Sequence, residues 1–453
     1  MDFDVIIVGA GMAGLTAGRL LANCGARVGI IEARHRVGGR ICTTHVDDGA
    51  GRPDVPVELG AEFVHGLPPE TWSLVREAKL ASYEIDGVEL CSSGGALQIH
   101  RHSGGGISVL EHMLAREASM APDCDLTFAA YLGSIAIDRA ARTRAVEYVE
   151  GFNAADSAII SVRALAMQQR AEDAIDSDRL FKLEHGYDGL PRFLAQQTES
   201  AGGQILLGSV AQRISWQRAA VSVSGVDRHG DGFVLAAKRA LICVPLGVLQ
   251  ANTIDFTPDP ATILAQARRL AMGPVMRMTL LFRSRFWAGG DLPKRSAEVR
   301  AGLDRLSFLF THGALPSTWW TPMPDTAAMI TAWVGGTKVA LIEGATGTAA
   351  KSEALLQRCL ATLGNALGVP TTDLQQWLLS WHCHDWQADP YARGAYSYVP
   401  AGAIDASAKL TEPVDATLYF AGEHTDISGH WGTVHAAVRS GLRAAAQLQG
   451  GAR

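Results

Sequence analysis

Val5-Ile6-Ile7-Val8-Gly9-Ala10-Gly11-Met12-Ala13-Gly14 stands near the start of the chain, and its continuation to Glu32 and on to Gly38-Gly39-Arg40 decides the fold. Four apolar residues in a row predict a strand buried on both faces of a parallel sheet. Gly9 permits the tight turn out of that strand. Gly11 has no side chain, so backbone there can approach a pyrophosphate, with Ala13 close behind it. Gly14 lets the following helix pack close to the sheet. That helix, expected over 12–24, aims its free N–H groups and the positive end of its dipole at the phosphates. Gly25 ends it, residues 27–31 return as a second strand, and Glu32 stands where a carboxylate accepts hydrogen bonds from ribose hydroxyls, followed by Ala33 and Arg34. A glycine-rich turn alone often serves packing only. Here strand, helix and acid stand in their places, so the segment reads as a dinucleotide grip, and the acid disfavours a 2′-phosphate and hence NADP. Gly38-Gly39 adds a second close backbone approach and Arg40 a fixed fork for phosphate. A nicotinamide enzyme has no obvious need for that second clamp.

Outward from this grip, further motifs follow in order. They are Glu58-Leu59-Gly60-Ala61-Glu62-Phe63-Val64-His65-Gly66, Val244-Pro245-Leu246-Gly247-Val248-Leu249, Met272-Gly273 with Phe286-Trp287, and Trp386 with Asp389-Pro390-Tyr391. Gly394-Ala395-Tyr396-Ser397-Tyr398, Ala421-Gly422-Glu423-His424-Thr425 and Trp431-Gly432-Thr433-Val434-His435 complete the series. Over nearly the whole chain this set resembles the flavin-containing amine oxidase family, which includes monoamine, polyamine and L-amino-acid oxidases and the flavin-dependent histone demethylases. The Pro-Leu-Gly-Val-Leu run is most similar to the polyamine oxidase and demethylase branch. The resemblance implies FAD and an α/β fold of two domains. A Rossmann-like FAD-binding domain (1–66, 201–272 and 411–453) is interleaved with an α+β substrate-binding domain (67–200 and 273–410), and the active site lies at their junction.

The resemblance also assigns expected roles. Gly60, Ala61, Glu62 and Phe63 should run beside the flavin ring through their backbone, Trp386 should pack against the ring, and Val210 should contact adenine through its backbone. Gly422 and Glu423 should meet the ribityl or pyrophosphate region. A helix expected from Gly432 to about residue 448 should aim the N–H groups of Thr433 and Val434 at the ring edge where reduced flavin carries negative charge. The implied chemistry moves a hydride equivalent from the carbon bearing nitrogen to flavin N5. The imine hydrolyses to an aldehyde or ketone, and O2 reoxidises the flavin to give H2O2. The cofactor carries the difficult step, so no protein base is nominated.

Four departures from the family pattern matter. Arg277 stands in the slot of a lysine that bonds flavin N5 through water; it keeps the charge but cannot lose it, and is expected to polarise a water or help O2 accept charge. Ala395 replaces the cysteine that attaches flavin in monoamine oxidases, so FAD should be held non-covalently. Of the two aromatic walls that align the amine, Tyr396 fits one, while the other falls at Thr433, with Trp431 as the nearby aromatic. No arginine follows Leu59-Gly60-Ala61, which favours a simple amine over an α-amino acid, and His65 resembles a substrate-pocket histidine of some polyamine oxidases. Two rival readings stand beside the amine oxidase. One is another flavin oxidoreductase of the same fold, such as an L-amino-acid oxidase, a desaturase or a protoporphyrinogen-type oxidase; the other is a non-catalytic FAD-binding scaffold.

Composition sets the outer bounds. The 453 residues, 47% of them hydrophobic, suffice for a large core. A net charge of −6 with scattered basic residues gives no electrostatic reason to expect a nucleic-acid partner. No run of about 18 apolar residues exists, so no membrane span is expected. The early first strand and the end of the chain soon after the last helix lead to the expectation of no signal peptide and no C-terminal anchor. The seven cysteines are far apart and lack metal-ligand spacing, which reads as reduced thiols in a cytoplasmic protein. His382-Cys383-His384 reads as a strand alternating its faces, and no metal is expected. A homodimer is left open. Residues 67–200 read as helical, with helices at 71–80 and 140–152, whereas 204–249 alternates with a period of two, as in 220–224. A mixed segment follows with strands at 277–283 and 329–334 and a helix at 352–367, before a last strand at 416–421.

Overall fold

The computed structural model describes residues 1–49, 51–100, 105–121, 124–289, 292, 296–342 and 348–450. Phe3–Val8 is the buried strand the apolar run requires, and it lies inside an eight-stranded sheet. Val28–Glu32 pairs parallel on one side of it, with Gln204–Leu207 beyond; Gly232–Ile242 pairs parallel on the other, and Leu418–Phe420 pairs with that strand. Ala220–Val226, Val210–Gln217 and Asp255–Thr257 complete the sheet. The registers place Val8 beside Ile31 and Ile242, and Ile242 beside Phe420. Four strands therefore end on one edge, where Gly9, Glu32, Cys243 and Gly422 follow. Open parallel sheets bind ligands at that edge.

Side chains of the first strand alternate between two cores. Val5 and Ile7 meet Leu15 and Leu21 of helix Met12–Asn23, while Ile6 and Val8 meet the layer containing Leu246 and Phe256. Gly9 takes a φ of +109°, which its turn needs and a side chain would resist. A Cβ on Gly14 would stand 2.0 Å from the Gly9 carbonyl oxygen, and one on Gly441 would stand 2.4 Å from that of Ala13. Those two glycines let helix Met12–Asn23 sit against its strand and against helix Val434–Leu448.

A second sheet of seven strands runs in the order Leu378–Cys383, Val275–Phe282, Met329–Gly335, Thr318–Trp320, Leu306–Thr311, Val88–Ser93 and Ala96–Ile99. One face packs Met276, Met278, Leu280 and Phe282 against Leu355, Cys359 and Leu363 of helix Thr348–Leu367. The alternation then turns Val275, Arg277 and Thr279 to the other face. Helices Phe128–Gly133, Arg139–Asn153 and Val162–Asp173 form a third body around Phe128, Tyr131, Val149 and Leu165. Thr127, Asp138 and Ser161 cap them, each accepting a hydrogen bond from the third helical N–H.

The region 67–200 is less helical than expected. Helices Pro69–Glu77 and Arg139–Asn153 are present, but strands Ser82–Glu84, Val88–Ser93, Ala96–Ile99 and Leu180–Leu183 interrupt them. Gly94 and Gly95, both at positive φ, turn Val88–Ser93 back as a hairpin, the turn chemistry that Gly-Gly between two short strands signals. The last helix begins at Val434, with Thr433 as its cap, rather than at Gly432. Among the described residues no helix is long and apolar enough to cross a membrane.

Candidate functional site

One cavity of about 1110 Å³ lies between the carboxyl ends of the first sheet's strands and the inner face of the second sheet. Of the residues expected at the cofactor, Gly9, Gly11, Ala13, Glu32, Ala33, Arg34, Gly39, Arg40, Gly60, Ala61, Glu62, Phe63, Val210, Trp386, Gly422, Glu423, Thr433 and Val434 all line it. Gly14 does not; its part is the helix packing described above. Arg277, Tyr396, His65 and Trp431 line it as well.

The inner half has the form of a dinucleotide cradle. Helix Met12–Asn23 starts at Gly11 with no side-chain cap and no acid in its first turn, so its leading N–H groups face the cavity without an internal acceptor. Nothing stands within 4 Å of where a Cβ on Gly11 would project. Glu32 is fixed by the N–H groups of Ala10 and Arg34, both 2.9 Å from its oxygens. Arg34 reaches Asp389 at 2.6 Å and lies against the rings of Trp386 and Tyr391, which joins the cradle to the loop after the second sheet.

One arm of the Arg40 fork is held by protein. Its guanidinium donates to the Ala395 carbonyl at 2.7 Å and to Glu423 at 2.8 Å. Glu423 also accepts from Ser397 Oγ at 2.5 Å and from the Gly432 N–H at 3.0 Å. Burial works against its charge, but Arg40 and the Ser397 bond prevail and hold the Glu423 carboxyl below its ordinary value. These partners make the pair a knot between three distant segments, with both carboxylate oxygens committed to protein donors. Trp386 donates to the Leu59 carbonyl at 2.8 Å and stands 3.1 Å from the Cβ position of Gly60, which sets its ring beside the start of the 60–63 segment.

Arg277 is buried and faces the cavity, but its fork is committed. It donates to the Gly60 carbonyl at 2.8 Å and to Glu62 Oε2 at 2.6 Å, with its guanidinium over the Trp320 ring at 5.6 Å. The Nε of Arg277 is buried and makes no hydrogen bond among the described residues. Lys182, which carries no local signature, bonds the other oxygen of Glu62 at 2.6 Å, and Trp320 Nε1 adds a third donor at 3.0 Å. Against burial, Lys182 and Arg277 hold the Glu62 carboxyl at about 2. Two cations on one carboxylate leave the cluster with a net positive charge beside the 60–63 backbone.

The outer half is an aromatic chamber. The Tyr396 hydroxyl donates to the Phe152 carbonyl at 2.6 Å, and its ring lies nearly parallel to Trp333. A Cβ on Gly432 would stand 2.9 Å from the Tyr396 ring, so this glycine makes room for the tyrosine. Thr433 and Trp431 line the cavity with their polar groups tied to protein. The Thr433 hydroxyl donates to the His430 carbonyl and accepts from the Ala436 N–H, as a helix cap. The Trp431 indole donates to Ser407 Oγ at 3.0 Å and packs into the core below the first sheet. Further aromatic surface is supplied by Phe63, Phe152, Trp320 and Trp333. His65 lies edge-on to Phe63 and Phe152, and burial pushes its pKa down to about 4, so the ring is neutral.

Toward solvent the chamber is lined by Glu147, Glu172, Asp173, Asp176 and Asp178. Burial raises the Glu172 carboxyl to about 7. Strand alternation is the signal that separates Trp320, at the cavity, from Trp319, in the core behind it. Neither the carboxylate rim nor Lys182 had a local signature, because each depends on the way separate elements pack.

The chain matches the profile of the flavin containing amine oxidoreductases over residues 12–108 and 89–449. It is 27% identical to Lysine-specific histone demethylase 1 homolog 2 of Arabidopsis thaliana over 98% of its own length and 58% of that protein's, so it spans little more than half of this relative. It is 28% identical to Polyamine oxidase 2 of the same plant, covering 98% of this chain and 87% of that one. Its fold is that of a putrescine oxidase solved with putrescine bound (TM-score 0.81, 20% identity, 99% of each chain). It is also that of cyclohexylamine oxidase from Brevibacterium oxydans IH-35A (TM-score 0.79, 22% identity, 99% of each chain).

Proposed function

We propose, from the premise that this chain belongs to the flavin-containing amine oxidoreductase family, that it is an FAD-dependent oxidase of a primary or secondary amine. The observation that carries the reading is a single cavity joining a dinucleotide cradle to an aromatic chamber with an acidic rim. At about 1110 Å³ it exceeds the usual small-molecule pocket of roughly 300–1,000 Å³, as one holding a dinucleotide and a substrate must.

Bound FAD would supply the acceptor for a hydride equivalent from the carbon bearing nitrogen, leaving an imine that water converts to aldehyde or ketone, with O2 reduced to H2O2. Ala395, in place of a cysteine, supports non-covalent binding. We read 1–66, 201–272 and 411–453 as the FAD-binding unit and 67–200 and 273–410 as the substrate unit. The uncapped helix start at Gly11 takes the pyrophosphate, Glu32 the ribose, and the Gly60–Phe63 backbone the ring.

The protein's own work is selection and placement. Asp173, Asp176 and Asp178 attract a cationic amine to the mouth. Beyond them Tyr396, Trp333, Trp320 and Phe152 take it out of water and fix its carbon. Carboxylates distant from the reacting end favour an amine with a second cationic nitrogen, such as an aliphatic diamine or polyamine. An α-amino acid fits poorly, because Arg277 and Lys182 in this half of the site are already bonded to Glu62. The test is a peroxide assay across monoamines, diamines, polyamines and L-amino acids. Turnover highest with the multiply charged amines supports the reading; turnover confined to L-amino acids, or absent throughout, overturns it.

A further inference from the structure

We propose that Cys91, His100 and His312 form a zinc(II) site at the edge of the second sheet, outside the amine oxidase cavity. Their ligand atoms, one thiol sulfur and two imidazole nitrogens, all lie within 4.8 Å of one another. Thiolate with imidazole is a donor set that suits zinc, which takes Cys at about 2.3 Å and His at about 2.0–2.1 Å. With three protein ligands, the fourth position is left to water.

The sheet holds all three residues against one strand. Cys91 lies in Val88–Ser93, opposite Gln98 of the hairpin partner and Phe310 of the parallel neighbour. His100 is two residues beyond Gln98, and its N–H donates to the Glu89 carbonyl at 2.8 Å. His312 is two residues beyond Phe310, and its N–H donates to the Ser92 carbonyl at 3.1 Å. Residues paired across a sheet, and those two apart along a strand, share a face, so all three side chains project together. The His100 and Phe310 rings, 4.8 Å apart, mark that common face. Cys91 sits within its strand, and His100 and His312 each follow a strand end by one residue and are tied to the Cys91 strand by their N–H groups.

The burial gradient also fits a metal. Cys91 is buried, His100 half-buried and His312 exposed, so the thiol sits at the bottom and the opening to solvent lies at the second imidazole. Binding displaces the thiol proton to solvent and leaves a thiolate on zinc, with no change of oxidation state. The bound ion would tie the 88–100 hairpin to the strand Leu306–Thr311, whose Phe308 and Phe310 line the outer wall of the cavity.

The test uses the untagged full-length, flavin-loaded protein, dialysed against zinc(II) and then against metal-free buffer, with metal content read by mass spectrometry. One zinc per chain is expected, with affinity lowered at least about a hundredfold in both Cys91→Ser and His312→Ala and unchanged in Cys383→Ser. His312 is exposed, so its replacement leaves the core intact, which the flavin spectrum verifies. Zinc should also raise the thermal midpoint of the wild type and leave that of His312→Ala unmoved. No zinc retained by the wild type, or zinc retained by Cys91→Ser and His312→Ala as firmly as by the wild type, overturns the proposal.

Discussion

Glu62 shows at the scale of one residue how this site is held. Its two oxygens take Lys182 and Arg277, and Arg277 also holds the Gly60 carbonyl, so the cluster fixes both ends of the segment expected beside the flavin. Removing Arg277 leaves Glu62 paired with Lys182 but releases Gly60. Displacements of about 1 Å near a reacting centre can cost on the order of a hundredfold in rate. Arg277→Met should therefore slow flavin reduction by about that factor, and Arg277→Lys should restore part of it, since charge returns and the two-pronged geometry does not. Unchanged reduction and reoxidation in stopped-flow mixing would remove Arg277 from the mechanism. Glu172 gives a second reading at this scale. Its raised carboxyl is neutral below about pH 7 and ionised above. Attraction for a cationic amine thus grows as pH rises through that value, so KM should fall there, and Glu172→Gln should flatten the step. His65, neutral down to about 4, should contribute no step above pH 6.

Among the elements, the opening strand and helix were the most legible. Gly9, Gly11 and Gly14 each answer a separate steric demand, and the structure puts a turn, an empty approach and a packed helix at the three positions. Gly14→Ala must push the helix away from the Gly9 carbonyl, so loss of bound flavin and a lower thermal midpoint are expected; the flavin-to-protein absorbance ratio after gel filtration reads it. The 88–99 hairpin was harder to see. Val88–Ser93 does not alternate cleanly, and its Gly94-Gly95 turn stood inside a stretch of helical character. Thr433 shows a different limit. Its place in the chain suggested a wall against the amine, yet its hydroxyl satisfies the first turn of Val434–Leu448, as short hydroxylated residues do at helix starts.

For the molecule as a whole, long-range polar contacts carry what local pattern leaves out. Arg40 joins the N-terminal loop to Ala395 and Glu423, and Arg34 joins it to Asp389, each across more than 350 residues. The order of the motifs was enough to place these segments around one cofactor. It was not enough to reveal that one arm of Arg40 is held by Ala395 and Glu423, or that carboxylates from helices Arg139–Asn153 and Val162–Asp173 and the loop after them meet at the rim. Those facts follow from packing, for which the helical side chains offer no code. Arg40→Met leaves Glu423 buried without its cation, so a loss of about 3–5 kcal/mol is expected. Urea unfolding of the flavin-loaded protein measures it, and a loss below 1 kcal/mol would mean that the knot is not a main support of the site.

The most direct measurement is anaerobic mixing of the purified yellow protein with aliphatic diamines and polyamines while the flavin absorbance is followed. Bleaching by at least one of them, with colour and peroxide appearing when O2 is admitted, is expected if the aromatic chamber delivers an amine to the cofactor. A flavin that stays oxidised in every amine, or a chain that never takes up flavin, would contradict it.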